Sequence, residues 1–149
     1  MPSDLWSFAK TLYAQAGSEA ACLQLQQQGA DVCLLLAAAW LQQSGVACTP
    51  ARAAALADLA EPWQREVITP LRQLRQSWRE AAAHDEALRR LREEIKALEL
   101  QAEQQLLARM QKQAANWLKG EAEGDWLTAV AGQYDHDALH VLRATITHT

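Results

Sequence analysis

Apolar residues recur along this chain at helical spacing, and no stretch carries the alternation of period two that marks a strand. Leu5, Phe8, Ala9, Leu12 and Tyr13 form the first such face, with Ser3 placed as its N-cap and Gly17 as its stop. A short second helix is predicted from Ser18 to about Gln28, with Ala21, Cys22 and Leu25 on one side and Gly29 ending it. Val32 to Gln43 is apolar all round, so it is expected at the centre of the fold, capped by Asp31 and closed by Gly45. Thr49 and Pro50 read as an N-cap and first-turn pair for a fourth helix that ends near Ala60. Pro62 opens a fifth, which Thr69-Pro70 either kinks or restarts, and Leu71, Leu74 and Trp78 mark its inner face.

From about Asp85 the pattern changes. Leu88, Leu91, Ile95, Leu98 and Ala102 follow the heptad spacing of a coiled-coil seam, which then slips by one residue to Leu106, Met110, Gln113 and Trp117. Glu86–Arg90, Arg89–Glu93 and Arg90–Glu94 stand four apart on the outer faces, as on a solvated helix that can run to Leu118. Gly120 and Gly124 suggest a hinge, and a last helical region covers Trp126 to about Ile146, interrupted near Gly132. Pro70 to Leu118 can be one rod or a hairpin. A rod needs another chain to cover its seam, whereas a hairpin turning near Ala83 lays Leu71, Leu74 and Trp78 over Leu91, Ile95 and Leu98. The hairpin is the reading adopted. Its lower seam, Leu106 to Trp117, still needs the C-terminal helices, a second copy or a partner. The expectation is a single all-α domain: a compact N-terminal helical bundle over 1–61, a long antiparallel helical hairpin over 62–118 and short C-terminal helices over 119–149.

Composition supports this picture. Half of the 149 residues are hydrophobic, mostly Ala and Leu, which lose little freedom in a helix. The net charge of -4 argues against nucleic-acid binding by the whole surface. Residues 61–120 nevertheless hold 11 basic against 9 acidic side chains, while residues 121–149 hold Arg143 against five acids. Cys22, Cys33 and Cys48 are odd in number and not at C-x-x-C spacing, so they read as core thiols in a reducing compartment. No basic stretch followed by an apolar run opens the chain, and Val32 to Leu41 is about half a membrane span. A soluble, cytoplasmic protein without membrane contact is expected.

The first forty residues carry more than composition. "LWSFAKTLY", "CLQLQQQGADVCLLL" and "AAAWL" follow the signature L-W-x-F-A-x-x-L-Y … C-L-x-L-Q-x-x-x-G-x-D-V-x-L-L-L-x-x-x-W-L. This resembles a proteobacterial family known as domain of unknown function 2390, over roughly residues 5–41 and more loosely 42–80. Trp6, Phe8, Tyr13, Cys22, Gln26, Gly29, Asp31 and Trp40 match it, while Cys33 replaces an expected Asn and Ala37 to Ala39 replace bulkier residues. The resemblance implies a soluble bacterial helical protein and no activity.

Candidate chemistry is sparse. His136 and His140 in "HDALH" stand four apart like the ligands of H-E-x-x-H, but Asp137 is a methylene shorter than Glu and only His148 follows as a third donor. An acidic helix start capped by Asp135 or Asp137 is the better reading. Cys22 and Cys33 lie on apolar helices, His84-Asp85-Glu86 reads as a turn, and no Ser elbow or Gly-rich phosphate loop is present. No catalytic residue, cofactor or metal site is therefore predicted. The basic stripes offer more: Arg72, Arg75 and Arg79 on one helix, and Arg89, Arg92 and Lys96 at i, i+3, i+7 on the next. They suit a docking face for an acidic protein or, second, for RNA phosphates, set against solvated faces neutralised by Glu66, Glu80, Glu93 and Glu94. A shallow pocket lined by Trp6, Tyr13 and Gln26 is a further candidate. The reading is a protein–protein interaction adaptor or regulator with an unidentified protein partner, or with a second copy of itself along the hairpin seam. RNA or ribonucleoprotein binding is the alternative, and a metal-dependent enzyme comes third.

Overall fold

The computed structural model describes residues 4–117 and 124–147, and among them the regular elements are helices with no strand. Asp4 begins α1 (Leu5–Ala14) by accepting the Ser7 amide at 2.7 Å, whereas the cap expected at Ser3 lies outside the described residues. Gly17 does not close α1. It starts α2 (Ser18–Gln27) with a φ of 84°, in the left-handed region where a side chain would be strained. The Asp31 carboxylate accepts the Leu34 amide at 3.1 Å and so caps α3 (Val32–Gln43). This helix packs against α1, α2 and the later helices Pro50–Trp63, Glu86–Ala114, Trp126–Ala131 and His136–Thr147, the central place that its all-round apolar sequence requires.

Thr49 caps α4 (Pro50–Trp63) through the Arg52 amide at 3.1 Å. Pro62 opens no new helix: it sits exposed inside α4, which leads through a π turn (Gln64–Ile68) into α5 (Thr69–Ser77). In that turn the Thr69 amide bonds the Gln64 carbonyl, five residues back. The widening falls just before Pro70, which brings no amide hydrogen and whose ring would press on the preceding turn of a regular helix.

The hairpin is present. After the short α6 (Arg79–Ala82) the chain turns through Ala83 and His84, Asp85 caps α7 (Glu86–Ala114) by the Leu88 amide at 3.2 Å, and α5 and α6 lie along α7. Its seam is not the expected one. The more buried positions of α7 are Leu88, Arg92, Ile95, Glu99, Ala102 and Leu106, while Leu91, Leu98 and Gln113 are exposed. The reason is phase. Leu106, Leu107 and Met110 are buried against the bundle, and an unbroken helix carries that orientation upward without the expected slip.

The bundle itself thus covers the lower part of α7, which ends at Ala114 rather than Leu118. Trp63 pins α4 to α7 by donating its indole N–H to the Ala102 carbonyl at 2.9 Å. Trp117 stacks on Trp126, ring centroids 5.9 Å apart. Trp126 opens α8 (Trp126–Ala131), and α9 (His136–Thr147) follows a break at Gly132, as expected. Of the expected hinge, Gly120 lies outside the described residues. No described helix is long and apolar enough to cross a membrane.

Candidate functional site

Two features of the hairpin root bring charge into the protein. The first is Glu99, only 6% exposed on the inner face of α7. Arg75 reaches it from α5 with Nε at 2.6 Å and one terminal nitrogen at 3.3 Å, and Arg72 adds its Nε at 3.2 Å. The two arginines stand three apart, one above the other on α5, so both converge on one carboxylate. Arg92 completes the group by donating to the Arg75 carbonyl at 2.9 Å. Arg72 and Arg75 therefore turn into the hairpin rather than onto the open docking face that the spacing suggested. Arg79 is exposed, Arg89 pairs with Glu86, and Lys96 pairs with Glu93 at 3.2 Å. Such exposed pairs each contribute about 0–1 kcal/mol.

The second feature is a pocket of about 250 Å³ where α7 passes α1 and α3. Trp6, Ala9, Lys10 and Tyr13 of α1 line it, with Cys33 and Leu36 of α3 and Leu100, Glu103 and Leu107 of α7. The expected grouping of Trp6 and Tyr13 is present. Gln26 is half-buried on α2 and does not line the pocket. The polar links of α2 run instead from Gln24 and Gln28 to Asp135, which caps α9. His136 and His140 both face solvent on α9, and His148 lies outside the described residues. Among the described residues no three His, Cys, Asp or Glu side chains group as metal ligands.

Burial governs the acid–base chemistry here. It pushes the Cys22 thiol up to about 11 and the Cys33 thiol well above its ordinary value, so neither offers a thiolate at neutral pH. Burial likewise raises the Tyr13 hydroxyl, with a further rise from its titratable neighbours Cys22 and Glu103. Glu103 is pushed up to about 7 by burial first and by the Glu99 charge second, against the pull of Arg72 and Arg75. Asp31 is raised by burial too, although it accepts Gln64 Nε2 at 2.7 Å as well as the Leu34 amide.

A carboxyl whose folded pKa exceeds its unfolded value holds its proton more tightly in the folded state. Its stabilising effect is complete below the unfolded pKa and is lost as pH rises through the folded one. Stability should therefore fall between about pH 4.5 and pH 7 on account of Glu103. Glu103→Gln should remove roughly 1–3 kcal/mol of that slope, allowing for partial exposure. Urea denaturation at pH 5 and pH 8 checks this, and an unchanged difference in the variant would rule it out.

Lys10, Leu36, Leu100, Glu103 and Leu107 were not foreseen as pocket residues. The available signal was Glu99 and Glu103, four apart on a helix that becomes apolar at Leu106-Leu107, which puts both carboxyls at the edge of the bundle.

Fold and site define an all-helical protein in which a charged hairpin grows out of an alanine- and leucine-rich bundle. The family model described as "Protein of unknown function (DUF2390)" matches residues 4–110, and the chain belongs to that family. No curated protein and no solved structure matches it.

Proposed function

We propose that this DUF2390 protein is an interaction adaptor or regulator that docks a protein partner along the outer edge of the hairpin. One observation carries the reading: Leu74, Leu91 and Leu98 are 37%, 51% and 47% exposed on the hairpin, while its inner positions hold Arg92 and Glu99. Leu91 and Leu98, seven residues apart, share one face of α7. An apolar helix face left in water is the usual ground for recognising another helix. The basic stripes support RNA less, because Arg72 and Arg75 bind Glu99 while Arg89 and Lys96 have acidic neighbours of their own.

The test uses the wild type and a Leu91→Ser, Leu98→Ser variant as baits in a nuclease-treated proteobacterial lysate. The wild type should retain a protein that the variant loses, with both baits melting alike, since exposed positions usually cost within about 0.5 kcal/mol. A second copy of the chain as partner would appear in sedimentation as a dimer that the variant cannot form. Equal capture by both baits refutes the docking edge, and capture abolished by nuclease points to RNA.

A further inference from the structure

We propose that the pocket between α1, α3 and α7 binds a small organic amine, its ammonium group on Glu103 and its apolar body against Trp6, Tyr13, Leu36 and Leu107. The inference is independent of the docking edge. At about 250 Å³ the pocket is smaller than the roughly 300–1,000 Å³ usual for drug-sized ligands, so the occupant is small. Its walls are mostly aromatic and aliphatic, which selects an apolar body.

The choice of head group rests on Glu103. Its side chain makes no hydrogen bond or ion pair among the described residues. The arginines that act on it, Arg72 and Arg75, spend their bonds on Glu99 instead. Besides burial, the charges of Glu99 and Asp31 oppose ionisation of Glu103, and those of Arg72 and Arg75 favour it. Lys10 also lines the pocket but forms no ion pair with Glu103 among the described residues, so an ionised Glu103 has no direct counter-charge there. The rings favour the same head group, because an aromatic face attracts a cation. Lys10 already sets its Nζ 5.6 Å from the Trp6 ring centroid at the pocket wall. An anionic ligand would meet the Glu103 carboxyl, and its counter-charge among the lining residues would be Lys10, already placed over the Trp6 ring.

The probe is 2-phenylethylamine, followed by calorimetric titration, with 2-phenylethanol and 3-phenylpropionate as the uncharged and anionic counterparts. The amine should bind at least about tenfold more tightly than the alcohol, as a desolvated charge pair allows, and the propionate should give no heat. Ionisation of Glu103 near 7, among Asp31, Glu99, Arg72, Arg75, Lys10, Tyr13 and Cys33, should strengthen amine binding about tenfold from pH 6 to pH 8. Glu103→Gln should bring the amine to the alcohol's affinity and flatten that profile, with circular dichroism confirming the fold. Trp6→Leu, which keeps an apolar wall, should weaken the amine severalfold and the alcohol less. Equal affinity for amine and alcohol in the wild type overturns the proposal. So does undiminished, pH-dependent amine binding in Glu103→Gln, or no binding at millimolar probe.

Discussion

Exchanging Arg72 and Arg75 together for glutamate should cost roughly 3–5 kcal/mol, enough to unfold the hairpin or the whole protein. Glu99 would lose both guanidinium groups that satisfy it and would gain two more carboxylates, with Glu103 already held near pH 7 in the same neighbourhood. The cost comes from stranding a buried charge, not from the pair's own strength. Replacing Glu99, Arg72 and Arg75 all by apolar residues of similar volume should therefore leave stability near wild type or raise it. Urea denaturation of both triple and double variants decides the matter. A glutamate double variant that unfolds like the wild type would mean that the three side chains do not meet in solution.

Trp126→Ala should cost about 3–5 kcal/mol as well, for a different reason. Trp126 is fully buried, its indole N–H donates to the Val46 carbonyl at 2.8 Å, and its amide donates to Gln42 at 3.0 Å. The indole closes the C-terminal segment onto the loop after α3 and supports Trp117 by stacking. Trp126→Phe retains most of the apolar area but removes the indole N–H that the Val46 carbonyl accepts, so it should cost about 1–3 kcal/mol. Trp117→Ala, at a half-buried position, should cost less than Trp126→Ala under the same denaturation. Equal losses at the two tryptophans would contradict this packing.

The local elements were largely legible in the sequence because they rest on local physics. Asp31 and Thr49 cap where an acceptor precedes a helical run, Gly132 breaks where expected, and the apolar α3 is central. The charge cluster was not legible. Arg72 and Arg75 lie 27 and 24 residues from Glu99, and pattern reading treats each as one more solvated charge. The phase of α7 was hidden because Leu91 and Leu98 look as good a seam as the true one; only burial of Leu106 and Met110 against the bundle decides between them. The pocket draws on three helices, so Trp6 and Tyr13 were found as neighbours on α1 while their partners on α3 and α7 were not.

The π turn at Gln64–Ile68 acts as a one-residue insertion in the long helical run from Pro50 to Ser77. Each residue of an α-helix advances the side chains by roughly 100°, so an extra one rotates everything beyond it by that angle. The turn therefore sets the aim of α5: α4 keeps Leu56 and Ala60 on the bundle, and α5 brings Arg72 and Arg75 onto Glu99. A chain one residue shorter here would swing both guanidinium groups away from the carboxylate without altering any contacting residue. The hairpin's charge pairing is thus encoded partly in length, in a stretch whose own residues form none of those ion pairs.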